Sequence, residues 1–392
     1  MLRISFAALG IYLSTLIGYS QPPDSTLYKD RKLKLEEVNF VSSYYRQDGN
    51  NSAVTGGIGS EKMTDFASTI DVKLSRYNRR NRLNTFTAEV GFDVYTSASS
   101  DNIDPNTISS ASSMDTRFYP SLTWAITDEK KRSTVSYNVS ASTEYDYFAK
   151  GMRVGWTKTS RDGNREFGAA AQAFLDTWSV ILPVELRGIT ETTSTKPRNS
   201  YSASFSLSQI LTKRLQMILL ADLAWQQGQL ATLYHRTYFT DGTHQVENLP
   251  DSRWKIPIGL RMHYFLGDRY ILRTFYRYYA DEWGLKAHTV EIETPVKITP
   301  FFSVSPFYRY YTQKGADYFR GFQQHDPVSE FYTSDYDLST LNSNMAGLGL
   351  RFSTPSGLMG IGHFSALELR YAHYERSTGL ASDIISLLAK FK

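Results

Sequence analysis

From about residue 35 onward, apolar and polar side chains take turns along the chain with a period of two. That is the spacing of a strand with one greasy face and one wet face, not of a helix. Phe86, Ala88, Val90, Phe92 and Val94 alternate with Thr87, Glu89, Gly91 and Asp93. Val135, Tyr137, Val139 and Ala141 alternate with Ser136, Asn138, Ser140 and Ser142. Leu215, Met217, Leu219, Ala221, Leu223 and Trp225 make a third such face, with Ile218, Leu220 and Ala224 as apolar exceptions on the other side. The pattern recurs at Leu272–Tyr279 and Leu348–Ser353.

These segments run roughly 10 to 16 residues, against about 5–6 for strands of soluble proteins and about 9–11 needed to cross a bilayer at a tilt. Polar punctuation alternates in length. Short turns are expected at Asn78–Arg82, Asp128–Arg132, Arg161–Asn164, Thr212–Arg214, Gly267–Arg269 and Thr299–Pro300. Longer connections lie between them at Gln47–Lys62, Ser97–Met114, Ser179–Asn199, Gly228–Ser252 and Gln313–Asp337. Short periplasmic turns alternating with long extracellular loops mark an all-β, antiparallel, up-and-down transmembrane β-barrel.

The rule gives about 16 strands over residues 35–392: 35–46, 63–77, 83–97, 115–127, 132–147, 151–160, 164–178, 199–211, 214–228, 253–266, 269–281, 284–298, 301–313, 340–353, 363–376 and 380–391. An even number places both termini in the periplasm. A soluble sandwich or propeller fits less well, because its outward positions carry Lys, Glu and Asn on shorter strands. Tyr44, Tyr45, Tyr145, Tyr147, Phe148, Tyr276, Tyr278, Tyr279, Tyr308, Tyr310 and Tyr311 gather at one end of their strands. They are expected to form an aromatic girdle at the outer membrane surface.

The N-terminus adds an address. Arg3 precedes an apolar run from Ile4 to Gly18, shorter than the ~20 residues of a spanning helix. Residues 1–20 are read as a secretory signal peptide and 21–34 as a periplasmic segment. A membrane-anchoring helix is the competing reading. With no later apolar run of helical length, an exported chain of this pattern crosses the outer membrane as strands.

Composition narrows the chemistry. The chain has no cysteine, which excludes a disulfide scaffold, a thiolate metal site, a cysteine nucleophile and a lipidated N-terminal cysteine. Its 43 basic and 39 acidic residues nearly cancel, so no nucleic-acid partner is expected. Among seven histidines none has the His-x-x-x-His spacing of a metal pair. His235 and His244 share a loop with Asp241 and Glu247, a weak candidate for a divalent ion. His263, beside Arg261, has no Gly-x-Ser-x-Gly partner for hydrolysis. No phosphate-binding or haem motif is present, and no cofactor is expected.

The blocks RKLKLEEVNFVSSYYRQDGNNSAVTGGIGSEKMTDFASTIDVKLSRY, FTAEVGFDVYTSASSDNIDP and SYNVSASTEYDYFAKG resemble a family of Gram-negative outer-membrane barrels classified as a domain of unknown function. The resemblance extends over nearly all of the mature chain. It implies an outer-membrane location and no catalytic residues. Members similar to this chain are encoded near flavin-transferring and thioredoxin-like exported proteins, which implies a possible redox partner.

The lumen is where function is expected. Parity turns Glu89, Asp93, Glu144, Asp146, Asp176 and Asp222 inward from strands three to nine. It turns Arg261, Arg273, Arg277, Arg309, Arg351 and Arg370 inward from strands ten to fifteen, with Lys73, Glu291, Glu293 and Glu368 breaking the segregation. Opposed acidic and basic walls create a transverse field that admits small polar solutes. The first expectation is a porin-like channel. The second is a closed barrel, its charges mutually paired, that scaffolds a surface or periplasmic partner, redox-related in one version. An outer-membrane enzyme comes last. Expected partners are outer-membrane lipid and the barrel-assembly machinery, which would read the alternating last strand Ile385, Leu387, Ala389, Phe391.

Overall fold

Sixteen antiparallel strands close into one cylinder in the computed structural model, which describes residues 31–96, 114–180, 182 and 194–392. The strands are β1 (Lys34–Asp48), β2 (Met63–Tyr77), β3 (Leu83–Thr96), β4 (Met114–Asp128), β5 (Ser133–Thr143), β6 (Tyr147–Thr159), β7 (Arg165–Ser179), β8 (Thr195–Thr212), β9 (Leu215–Gly228), β10 (Ser252–Leu266), β11 (Tyr270–Asp281), β12 (Lys286–Glu293, continued by Val296–Lys297), β13 (Phe302–Lys314), β14 (Leu341–Ser353), β15 (Phe364–Arg376) and β16 (Leu380–Phe391). Each pairs with its sequence neighbours, and β1 pairs with β16 from Val38↔Phe391 to Asp48↔Ala381, so no edge is left open. The proposed signal peptide lies outside the described residues, as do most of the segments 97–113 and 181–193.

The strands match the alternating segments closely, with two informative departures. The fifth was expected to run to residue 147. It stops at Thr143, and the chain reverses through Glu144–Asp146, where the Glu144 amide donates to the Tyr147 carbonyl (2.8 Å). The twelfth is interrupted after Glu293. Pro295 follows there, and proline has no amide hydrogen to give the ladder.

The outward face is apolar. Leu122 and Val139 remain 60% and 58% exposed at the middle of β4 and β5, joined by Phe66, Ile70, Phe92, Ile258, Val290 and Leu369 on other strands. A continuous belt of this kind is stable only against hydrocarbon. The barrel is therefore a transmembrane barrel of the outer-membrane type. Period two also splits the tyrosine pairs. Tyr44, Tyr145, Phe148, Tyr276, Tyr308 and Tyr310 are exposed on the outer face. Tyr45, Tyr147, Tyr279 and Tyr311 point the other way, into the lumen, because adjacent residues of a strand occupy opposite faces.

Candidate functional site

Sixteen strands spaced about 4.8 Å apart and tilted about 40° enclose a cylinder with a backbone radius of roughly 15 Å. Its interior carries the charge. On the β1–β9 side, carboxylates are held by neutral donors. The Tyr119 hydroxyl donates to Asp93 (2.8 Å), that of Tyr95 to Glu144 (2.7 Å) and that of Tyr147 to Asp176 (2.6 Å). Asn39 donates to Asp71 (3.0 Å). A phenol holds a carboxylate in place without cancelling its charge. Arg117 approaches Glu144 (3.4 Å) and Lys390 approaches Glu37 (2.5 Å); with Lys73, Arg153 and Arg198 they only partly offset the acids.

The β10–β15 side is organised differently. Arg309 meets Glu291 (2.5 Å), and Arg351 meets Glu368 (2.8 Å). Arg370 bridges Glu368 (3.1 Å) and Glu293 (2.8 Å), and Glu293 also accepts from Arg273 (3.3 Å). Arg370 belongs to β15 and Glu293 to β12, so this bond passes inward of two intervening strands. The ladder therefore stands off the wall and narrows the lumen. Arg261 lies over the Phe275 ring (5.3 Å) and Arg370 over Phe307 (4.9 Å). Arg253, Lys255, Arg261, Arg273, Arg277, Arg309, Arg351, Arg370 and Arg376 outnumber Asp281, Glu291, Glu293 and Glu368 on this side. The wall is basic even after its internal pairs.

Three long loops meet over the lumen. The first, 49–62, joins β1 to β2, and the fifth, 229–251, joins β9 to β10. Eight strands separate these positions in either direction round the sheet, so the loops spring from opposite sides of the mouth. Yet the Arg236 guanidinium donates to the Val54 carbonyl (2.7 Å), and Val54 packs on Tyr234. The seventh loop, 315–340, locks both. Phe239 packs edge-on against Tyr332 (4.9 Å), and the Tyr332 amide donates to the Asn248 carbonyl (2.7 Å). The Thr333 hydroxyl donates to Glu247 (2.5 Å), whose other oxygen accepts from the Thr232 amide (2.6 Å).

Gly56 and Gly57 make this approach possible. Both have left-handed backbones (φ 82° and 88°), and a Cβ on either would strike the ring of Tyr238 or Tyr336. Between the fifth and seventh loops, Trp283 is fully buried with Leu230, Ala231, Leu249 and Ala316. Arg253 stacks on it at 4.1 Å while pairing with Asp281. The loops thus form a folded cap with its own small core.

The cap is fastened by buried charge. Arg376, at the loop end of β15, pairs with Asp337 (2.5 Å) and approaches Glu61 (3.9 Å). Burial pushes the Glu61 pKa up to about 7, against the pull of Arg376. Burial, together with Asp337, also raises Asp335, to about 6. Burial opposes the His235 cation, but Glu247 at 3.6 Å, with Asp335 and Asp337 nearby, holds its pKa above the ordinary value. At the β5–β6 turn, burial raises Asp146 to about 6, although the Trp178 indole donates to it (3.3 Å).

Glu89 and Asp93 lie on β3, Asp176 on β7 and Asp222 on β9, all on the inward register. Glu144 and Asp146 belong to the β5–β6 turn rather than to a strand. The arginines Arg261, Arg273, Arg277, Arg309, Arg351 and Arg370 occupy inward positions of β10, β11, β13, β14 and β15. Sequence reasoning missed Arg253 and Lys255 beside them. It also missed the lumenal Tyr95 and Tyr119, and it had assigned Tyr45, Tyr147, Tyr279 and Tyr311 to the girdle. The four loop groups considered for a divalent ion do not converge. His235 turns to Glu247, His244 packs on Tyr238 (5.1 Å), and Asp241 caps Thr243 in its own turn. His263 lies beside Ser208, Gln216 and Arg261, and no hydrogen bond joins it to a serine among the described residues.

No curated protein matches the chain. Among solved structures it is similar to Pseudomonas aeruginosa OccD3 (OpdP), at 8% identity and a TM-score of 0.46, covering 93% of this chain and 92% of that one. It is also similar to P. aeruginosa OccK1 (OpdK), at 8% identity and a TM-score of 0.43, covering 93% and 99%. A BenF-like porin from Pseudomonas fluorescens Pf-5 matches at 8% identity and a TM-score of 0.43, covering 91% and 97%. Residues 80–383 match the family model described as "Protein of unknown function (DUF3570)", and the chain belongs to that family.

Proposed function

We propose that this barrel is a non-catalytic, porin-like outer-membrane channel for small polar solutes, exported by the leader at residues 1–20. The observation that carries the reading is the lumen, a polar interior with carboxylates on one wall and an arginine-rich ladder on the other. Such walls orient water and dipolar solutes and disfavour apolar ones. Glu89, Asp93, Glu144, Asp146, Asp176 and Asp222 are the acidic contacts of this path. Arg261, Arg273, Arg277, Arg309, Arg351 and Arg370 are the basic ones. The alternating β16 is the segment through which the assembly machinery engages the chain.

Planar-bilayer recording under a salt gradient tests this. Asp93→Asn is expected to shift the reversal potential towards anion preference, and Arg351→Gln towards cation preference. Unchanged potentials in both variants would contradict a path along these walls. The cap favours a second reading, a closed scaffold for a surface or redox partner. A barrel that stays silent once the cap is removed would support it.

A further inference from the structure

The short turns mark the periplasmic end of the barrel, and their positive charge gathers on one half of it. Arg79 and Arg80 lie at the tip between β2 and β3, and Lys130 and Lys131 at the tip between β4 and β5. Arg161 lies between β6 and β7, and Lys213 and Arg214 between β8 and β9. All are exposed. These hairpins are neighbours in the sheet, so their tips form one continuous arc. Arg31, Lys32 and Lys34 extend it past β1. Across the mouth, the turns from β10 to β15 carry Arg269 and Lys297 as their only lysine and arginine, and expose Ile298, Phe301, Met359 and Ile361 instead.

The acids of the same turns do not cancel this charge. Asp128 pairs with Arg82 (3.1 Å). Glu129, however, accepts from the Tyr77 hydroxyl (2.6 Å), Glu166 from that of Thr159 (2.9 Å), and Asp162 from Ser160 and Asn164. Among the described residues, no ion pair engages Arg79, Arg80, Lys130, Lys131, Arg161, Lys213 or Arg214. The turns are also braced against one another. The Arg132 guanidinium donates to the Ser160 carbonyl (2.8 Å). The Thr159 amide donates to the Arg132 carbonyl (2.9 Å), and the Ile210 amide to the Asn164 carbonyl (2.8 Å). Like charges held close on ordered turns repel one another, and a partner of opposite charge relieves that repulsion.

Lipid does not account for the arc. Headgroups surround the barrel on every side, so a collar for anionic lipid would need cations round the whole rim. A funnel drawing anions into the lumen would likewise ring the mouth. Depth gives the same answer. The outward rings of Phe86, Trp124 and Tyr137, side by side in register, mark the inner membrane boundary. Arg76 reaches back over Phe86 (5.9 Å) at that level. Trp124 stands four residues before the end of β4 at Asp128. That is roughly 10 Å along the membrane normal, at a rise of about 3.3 Å per residue and a tilt of about 40°. The headgroup layer is only about 5–7 Å deep, so the tips stand beyond it in water. We infer that the arc is the docking surface for the acidic face of a periplasmic protein, held against one side of the barrel mouth. Such docking needs no current through the lumen, so the channel reading stands or falls separately.

The test places the full-length chain in phosphatidylcholine nanodiscs and titrates it with a fluorescent polyglutamate peptide, read by anisotropy. Wild type should bind saturably, and more weakly as salt rises. The Arg80→Gln/Lys130→Gln/Arg161→Gln/Lys213→Gln variant should bind about tenfold more weakly, while Arg269→Gln/Lys297→Gln should bind as wild type does. Native mass spectrometry should find phosphatidylglycerol retained equally by wild type and the arc variant. In intact cells, a zero-length carbodiimide should join Lys130, Lys131 or Lys213 to carboxylates of a protein. Equal peptide binding by the arc variant, or an equal loss in the Arg269/Lys297 variant, would overturn the proposal. So would a loss of phosphatidylglycerol confined to the arc variant, crosslinks to peptidoglycan stem peptides alone, or no crosslink.

Discussion

A single branched apolar side chain shows which face of the sheet meets lipid. Leu122 lies near the middle of β4 and points outward, while Ser121 beside it points into the lumen. An arginine on the lipid face at mid-membrane costs about 2–4 kcal/mol, whereas a lumenal one is solvated. Leu122→Arg is therefore expected to lower unfolding stability in lipid vesicles by about that amount, and Ser121→Arg by much less. Equal losses on urea titration would mean that the two faces are wrongly assigned. This much was legible in the sequence, because period two needs only local chemistry. The partners of the inward groups were not legible. Nothing in the spacing of Arg370 and Glu293 announces a bond that reaches past two strands. Nor does the spelling of Tyr147 distinguish a girdle ring from a phenol holding Asp176. Those facts depend on how the cylinder closes.

At the scale of elements, the strands were readable to within a few residues because long alternation leaves one register that buries the greasy face correctly. The cap was not. Residues 229–251 look like an ordinary polar loop, and their core forms only when Trp283 and Ala316 of later loops arrive. Its stability should depend on pH in a definite direction. Glu61 rises from 4.5 to about 7 on folding, and Asp335 from 3.8 to about 6. His235 is also raised. A group with a raised folded pKa contributes stability that is complete below its unfolded value and is lost as pH climbs through its folded value. Asp335 and Glu61 therefore loosen the cap between about pH 4 and pH 7, Glu61 alone by on the order of 3 kcal/mol, and His235 adds its share only above its ordinary value of 6.5. Asp337 is lowered, so its contribution fades only below its ordinary carboxylate range. Protease cleavage within 229–251 should be faster at pH 8 than at pH 5. Glu61→Gln should flatten that difference. A faster rate at pH 5 would reverse the assignment of these charges.

At the scale of the whole molecule, the barrel joins two opposed features. Its walls are built to keep charge facing water, and its mouth is crossed by loops that hold one another from opposite rims. A closed scaffold would need the second and have little use for the first. The segregation of tyrosine-held acids from the arginine ladder is easiest to understand if solutes or ions travel between them once the cap yields. Single-channel recording in planar bilayers tests this most directly, comparing wild type with a variant in which residues 231–249 are replaced by a short glycine–serine turn. The account predicts small, infrequent conductance steps for wild type and a severalfold larger, steadily open conductance for the variant. A correctly folded variant that passes no current above background would contradict it.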